Sequence, residues 1–155
     1  MTARACTAQE DDTHKPRGLW LSAEDDTPES HGWKDWCEGE AFWLDNLKWR
    51  TEITLHPDAN VLRLATAQEI VAFSDRYCDL PYPLHDWVNW PRVVPLYQGI
   101  IIAPYQWRLR LEHGMIWYYG WDCASGCIWD LAAIDSVSAP EAVTVRVRQE
   151  EEEEV

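Results

Sequence analysis

Residues 99–103 have the sequence Gly-Ile-Ile-Ile-Ala, the most apolar run in the chain. Three consecutive isoleucines leave no polar face, and β-branched side chains favour extended backbone. Short runs that are apolar at every position are typical of strands covered on both faces. We therefore predict that residues 99–103 form a central strand, and we place the other elements outward from it.

Further short strands are predicted on both sides of this central strand. They are residues 17–22, 49–55, 61–64, 115–121 and 126–129, with residues 143–148 as an edge strand. The turn at residues 56–60, which contains Pro57, Asp58 and Asn60, predicts a hairpin between the strands at 49–55 and 61–64.

Helical spacing is found in two longer segments. In residues 31–47 the apolar positions recur at steps of three and four, which predicts an amphipathic helix with Ser30 as its N-cap. Thr66 and Glu69 match a capping box before a second helix. A short helix is predicted within residues 90–97. Helices and antiparallel strands mix without a regular βαβ repeat, so we predict a single α+β domain with mixed or antiparallel sheets and two or three short helices.

The ends of the chain differ in composition from its centre. Residues 1–16 lack apolar periodicity and are predicted to form a flexible arm, whereas residues 149–155 contain five consecutive glutamates and are predicted to be a disordered acidic tail. The globular domain is therefore predicted to span residues 17–148, a length that fits one domain.

Charge and composition exclude several classes of function. The chain carries 27 acidic and 13 basic residues, a net charge of −14, so we expect no non-specific binding of nucleic acid. A basic protein partner and mimicry of nucleic acid both fit this charge. No apolar run is long enough to span a membrane, and residues 1–16 lack the apolar core of a signal peptide. With five cysteines, an odd number, we predict reduced thiols and a cytoplasmic location, and the oligomeric state is left open.

Cys123 and Cys127 have a spacing found in zinc sites, but no second pair accompanies them. We therefore expect no metal. The sequence also lacks the glycine-rich phosphate loops and the serine-nucleophile motif that would indicate a familiar enzyme class.

Aromatic composition is the most unusual feature, because 11 tryptophans stand against 2 phenylalanines. Such residues either fill a core or form a stacking surface. Trp20, Tyr119 and Trp121 lie near the polar residues Ser22 and Asp122 in the sequence, a combination that suits a planar ligand such as nicotinamide or a nucleobase. The alternative is that the tryptophans of the first helix, Trp33 and Trp36, face the core.

Three segments taken together resemble a group of small uncharacterised proteins from bacteriophages and bacteria. They are residues 15–22 (KPRGLWLS), residues 32–37 (GWKDWC) and residues 119–123 (YGWDC), and the similarity covers roughly residues 15–134. That group in turn distantly resembles the ADP-ribosyltransferase fold.

The resemblance implies NAD as a substrate, and it implies a role for each matched residue. Ser22 would hydrogen-bond the nicotinamide side, and the rings of Trp20, Trp36 and Tyr119 would contact the cofactor. A carboxylate is needed to stabilise the positive charge that develops as nicotinamide leaves. Related sequences have a glutamate where this chain has Ala124, which leaves Asp122 or Glu112 for this role, and Asp122 is our prediction for the catalytic residue.

Two functions follow as hypotheses. One is an ADP-ribosyltransferase-like phage or mobile-element protein that acts on a host component in the host cytoplasm, with or without retained activity. The other is a non-enzymatic acidic protein that docks a host protein or blocks a defence factor. A concave, tryptophan-lined cleft with Asp122 at its floor favours the enzyme, and a flat or convex apolar patch favours docking.

Overall fold

The structure is a computed structural model that describes residues 14–23 and 31–147. The predicted acidic tail (149–155), residues 1–13 of the predicted arm and the predicted N-cap Ser30 lie outside the described residues. The remaining residues of the arm, 14–16, contact the body of the protein: the carbonyl oxygen of His14 accepts a hydrogen bond from Trp90 Nε1 at 3.4 Å, and Pro16 is fully buried.

A four-stranded sheet lies at the centre of the fold, in the order β1-β6-β5-β4. Its strands are β1 (Leu19–Ser22), β4 (Val61–Leu64), β5 (Gly99–Ile102) and β6 (Ser125–Ile128). β6 pairs antiparallel with both β1 and β5, whereas β4 pairs with β5 in parallel. The isoleucine run thus occupies an interior strand, which confirms the prediction.

Two smaller sheets have two strands each. β2 (Trp49–Arg50) pairs with β8 (Glu141–Ala142), and β3 (Ile53–Leu55) pairs with β7 (Ile134–Val137). The predicted strand at 49–55 is therefore divided between two sheets. The predicted edge strand at 143–148 is wrong for the described residues 143–147: the Val143 N–H donates to the Lys48 carbonyl at 2.9 Å, but the strand pairing of β8 with β2 ends at Ala142.

The predicted hairpin between residues 49–55 and 61–64 is also wrong. β4 finds its partner across the chain in β5, with Val61 opposite Gly99, and not in β3. Asn60 and Gln98 fix this register, because the Gln98 N–H donates to the Asn60 carbonyl at 2.7 Å and the Gln98 side chain accepts from the Asn60 N–H at 2.8 Å.

The described residues form four α-helices, two of which have only four residues. They are α1 (Trp33–Glu40), α2 (Ala67–Tyr77), α3 (Trp90–Val93) and α4 (Ile116–Tyr119). The capping box of α2 is confirmed: the Thr66 hydroxyl accepts from the Glu69 N–H at 3.2 Å, and the Glu69 carboxylate accepts from the Ala65 N–H at 2.9 Å. A mixed α+β fold in a single small domain is therefore confirmed.

Residues 115–121 are not the strand that the sequence predicts. The Met115 carbonyl accepts hydrogen bonds from the N–H groups of Tyr118 and Tyr119, at 3.0 and 3.2 Å, and this closes the single turn of α4. Consecutive aromatic residues favour strands on propensity alone. Here the burial of Trp117 and Tyr118 in the core, together with the exposure of Ile116 and Tyr119, decides for a helical turn.

The main core brings α2, α3 and α4 together with β4, β5 and β6. Four tryptophans are fully buried in it: Trp90, Trp117, Trp121 and Trp129. Four others are exposed at the surface: Trp20, Trp43, Trp49 and Trp107. Tryptophans thus fill the core, one of the two roles that the composition suggested, and others lie at the surface. No helix among the described residues has the length and apolar character needed to cross a membrane.

Candidate functional site

Trp20 pairs with Cys127 across β1 and β6, and its ring reaches Trp121, the residue that precedes Asp122. The Trp20 ring contacts the Trp121 ring edge-on, with 4.9 Å between centroids. The Nζ atom of Lys15 lies 5.3 Å from the centre of the Trp20 ring. This region therefore combines an indole, a cation and a carboxylate.

Arg110 connects Asp122 with Tyr119. Its Nη2 atom lies 3.8 Å from Asp122 Oδ1, and its guanidinium carbon lies 4.5 Å from the centre of the Tyr119 ring. The rings of Tyr105 and Trp107 flank the same guanidinium, each at 5.9 Å. We call these five residues the Arg110 site.

Arg110 belongs to a 3₁₀ turn, Leu109–Leu111, and sequence reasoning missed it. No local motif identifies it, because its neighbours Asp122 and Tyr119 come from the segment around α4. The only available signal was its position as an arginine among aromatic residues.

The other two predicted ligand residues are Trp36, in α1, and Ser22, the last residue of β1, which contacts the start of α1. The Ser22 hydroxyl oxygen accepts a hydrogen bond from the Trp33 N–H at 2.8 Å, at the first residue of α1. The Trp36 ring stacks on the Trp33 ring, with centroids 5.1 Å apart and an interplanar angle of 15°. The five predicted residues thus fall into two groups, one near Arg110 and Lys15 and one at α1.

An aromatic patch covers α1 and the turn after it. We call it the α1 patch and define it as Trp33, Trp36, Phe42 and Trp43. The Phe42 ring contacts those of Trp33 and Trp36 at 6.4 and 5.9 Å, and the Trp43 ring lies 6.1 Å from that of Trp33. Phe42 and Trp43 are each 50% exposed, and Trp33 and Trp36 are half-buried.

Backbone conformation explains how these four rings meet. The predicted helix at 31–47 ends at Glu40, because Ala41 and Trp43 take left-handed backbone angles, with φ of 51° and 57°. The Phe42 N–H donates to the Cys37 carbonyl at 2.9 Å, which turns the chain back over the helix.

The inner face of α1 consists of Cys37 and Glu38, which are both buried. Burial opposes ionisation of Glu38, but hydrogen bonds from Lys34 Nζ, at 2.8 Å, and from the Arg146 N–H lower its pKa overall. The ionised Glu38 carboxylate, paired with Lys34, therefore holds the inner face of α1 in place. The half-buried indoles of Trp33 and Trp36 lie on the side toward the solvent.

A separate cavity of about 650 Å³ lies between α2 and the residues before α4. Its lining includes Asp75, Asp86 and Glu112, with Arg108 as its one arginine. Glu112, the alternative to Asp122 in the sequence-based hypothesis, belongs to this cavity. Cys78 also lines it, and burial raises the pKa of its thiol.

The buried thiols are poorly suited to nucleophilic chemistry. Burial raises the pKa of Cys123 and of Cys127 to about 12, so both are protonated at neutral pH. Within residues 14–23 and 31–147, no three His, Cys, Asp or Glu side chains are grouped so that they could hold a metal ion.

Comparison with known proteins gave no relative: no family model matches the chain, and no curated protein or solved structure matches it significantly. The resemblance to the phage group and to ADP-ribosyltransferases therefore stays a prediction. The functional proposals rest on the geometry of the α1 patch and the Arg110 site.

Proposed function

We propose that this chain is a non-catalytic binding protein that docks a basic segment of another protein, such as a host protein, on the α1 patch. The observation that supports this most directly is the group of four contacting aromatic rings at the surface, with Phe42 and Trp43 each half-exposed. Contiguous exposed apolar patches mark interaction surfaces, and tryptophan is enriched among the residues that dominate binding energies.

Backbone strain in the patch supports the same proposal. Ala41 and Trp43 both have a positive φ, a conformation that costs non-glycine residues about 1 kcal/mol or more. Such strain concentrates at functional sites. In this protein its effect is to hold two aromatic rings, those of Phe42 and Trp43, against α1 without burying them.

Charge around the patch specifies a basic partner. Residues 33–45 contain one lysine, Lys34, and four carboxylates: Asp35, Glu38, Glu40 and Asp45. Lys34 pairs with Glu38 and Lys48 lies 3.6 Å from Asp45, which leaves Asp35 and Glu40 as the carboxylates of this segment without a described ion pair. Arginine side chains suit both features of the surface, because the guanidinium stacks on indole rings and is attracted by acidic residues.

Binding of a synthetic peptide of alternating arginine and leucine tests this proposal, with a glutamate–leucine peptide of equal length as the control ligand. Fluorescence anisotropy of the labelled peptide gives the Kd. We expect Trp36→Ala and Trp43→Ala each to weaken binding by about 30-fold, the effect of losing a residue that contributes about 2 kcal/mol.

Tyr82→Ala is the matched control variant, because Tyr82 is exposed but lies in a loop outside the patch. Its Kd should equal that of the wild type. Equal affinity of the wild type and both tryptophan variants, or equal affinity for the acidic peptide, would refute docking at the α1 patch.

NAD cleavage is the second candidate function, and the clustering of Trp20, Tyr119 and Asp122 around two cations supports it. Lys15 and Arg110 carry charges that can pair with a pyrophosphate. Asp122 is partly exposed, so its carboxylate can reach a positive charge that develops in a bound ligand.

Titration with NAD, followed by tryptophan fluorescence and by release of nicotinamide, tests the second function. Trp20→Ala should weaken binding, and Asp122→Asn should abolish release while leaving binding in place. Asp45→Asn, which changes a fully exposed carboxylate, serves as the control. If millimolar NAD causes neither saturable quenching nor release, this function is rejected, and the docking proposal is unaffected.

A further inference from the structure

Arg110 has more hydrogen-bond donors than its surroundings satisfy. Its side chain is only 18% exposed, and a guanidinium has five N–H groups. One Nη2 hydrogen bond goes to the Tyr119 carbonyl at 3.5 Å, and the contact with Asp122 Oδ1, at 3.8 Å, is beyond hydrogen-bond distance. Its buried Nε atom has no hydrogen-bond partner within the described part of the chain.

The Tyr105 hydroxyl, in the same site, is a second buried polar group without a partner among residues 14–23 and 31–147. Tyr105 is only 4% exposed, and its ring lies 5.9 Å from the Arg110 guanidinium carbon. Burial raises the pKa of Tyr105, and the nearby charge of Arg110 acts in the opposite direction. A buried polar group without a partner destabilises the fold, so two of them on neighbouring side chains point to a group that binds there.

Two rings of this site, those of Trp107 and Tyr119, are half-exposed and lie at the protein surface. Lys15 adds a second positive charge near Gly120, the residue that follows Tyr119. Its Cε lies 3.6 Å from the position that a Cβ atom on Gly120 would occupy. Among the described residues, Lys15 and Arg110 bring two positive charges to this region and Asp122 brings one negative charge.

We propose that the Arg110 site binds an oxyanion, a phosphate or carboxylate group, through the Arg110 guanidinium and the Tyr105 hydroxyl. The planar fork of arginine matches the two oxygens of such a group, and charge-assisted hydrogen bonds of this kind are the strong ones. The anion supplies the acceptors that Asp122 does not supply at its distance. The proposal uses none of the α1 patch residues, and it does not require that NAD be the source of the phosphate.

Inorganic phosphate and acetate are the probes, titrated separately into the full ¹⁵N-labelled chain at constant ionic strength. The Arg110 Nε–Hε resonance reports binding at the site. We expect a saturable shift in the wild type, with affinity at least about tenfold weaker in Arg110→Lys, which keeps the charge but loses the fork. Tyr105→Phe, which removes only the hydroxyl, should weaken binding several-fold. In Arg110→Lys, which has no such resonance, tryptophan fluorescence replaces it as the reporter.

Stability measurements keep the test independent of misfolding. Without phosphate, Tyr105→Phe should be at least as stable as the wild type, since it deletes a buried hydroxyl that has no partner. Phosphate should raise the Tm of the wild type and leave that of Arg110→Lys unchanged. Arg63→Lys, which changes an exposed arginine of β4, should respond as the wild type does.

Each outcome bears on the proposal in one direction. Saturable binding of phosphate alone assigns a phosphate ligand, and binding of acetate as well assigns a carboxylate; both support the site. A shift that sodium chloride reproduces, or binding that survives in both variants, overturns it. Phosphate binding without any nicotinamide release rejects NAD cleavage and leaves the oxyanion site in place.

Discussion

Replacing Ser74 by alanine removes the hydrogen bond that joins α2 to α4 inside the core. The indole Nε1 of Trp117 donates to the Ser74 hydroxyl oxygen at 3.0 Å, and both residues are buried. Trp117 is fully buried, so the substitution leaves its indole N–H without a side-chain acceptor. Ser74 also contacts Cys78 at 3.5 Å, but Cys78 is partly exposed and can exchange that contact for water.

The expected loss of stability follows from this geometry. A buried N–H without an acceptor costs about 1–3 kcal/mol, and the small volume change from serine to alanine adds little. For a domain of this size, about 2 kcal/mol corresponds to a fall in Tm of roughly 6–10 °C. Since only two residues separate α4 from Asp122, the same substitution should also broaden the Arg110 Nε–Hε resonance.

Urea unfolding, followed by tryptophan fluorescence and by circular dichroism, measures the effect through a double-mutant cycle with Trp117→Phe. Phenylalanine has no N–H, so in that background Ser74→Ala should cost less than about 0.5 kcal/mol. The inferred role of the hydrogen bond is refuted if Ser74→Ala costs the same in both backgrounds, or if it is neutral in the wild type.

Three further predictions concern the sheet, α1 and the thiols. Gly126→Ala should destabilise the protein by about 2 kcal/mol, because the added Cβ would lie 2.8 Å from the Ile100 carbonyl oxygen; a Tm within 1–2 °C, roughly, of the wild type would contradict this. The folded-state pKa of Glu38 is lowered, so its stabilisation is present above the unfolded pKa of about 4 and is lost as the pH falls through the folded value. Glu38→Gln should therefore unfold more easily than the wild type in urea at pH 7, and the difference should vanish in strong acid; a difference independent of pH would exclude a role for the charge. Iodoacetamide at pH 8 should alkylate Cys78 well before Cys123, because Cys123 is buried and its pKa is raised to about 12. Mass spectrometry measures the order of alkylation, and the reverse order would contradict the burial of Cys123.

Local signals in the sequence were sufficient to predict several helices and strands. The isoleucine run identified β5, and the Thr66–Glu69 capping box identified the start of α2, because both depend on residues within four positions of each other. The spacing of Trp33 and Trp36 identified α1. It overstated the length of the helix, since nothing in the side-chain spacing reveals that Ala41 turns left-handed.

Strand partners depend on residues that are distant in the chain, and there sequence reasoning failed. β4 pairs in parallel with β5, which begins more than 30 residues later, rather than forming the nearest hairpin. The segment at 115–121 has the propensity of a strand, but its two buried rings fill a core that exists only once α2 and α3 have packed. Tertiary burial outweighs local propensity in such cases.

The candidate sites divide in the same way. The sequence by itself determined the acidic charge, the abundance of indoles and the presence of suitable side chains: the rings of Trp20 and Tyr119 and the carboxylate of Asp122. Only the tertiary structure decided which of them meet: pairing of β1 with β6 brings Trp20 to Trp121, and a turn with no motif of its own places Arg110 beside Tyr119 and Asp122. The physical reason is that side-chain chemistry is fixed residue by residue, whereas proximity depends on long-range pairing and burial.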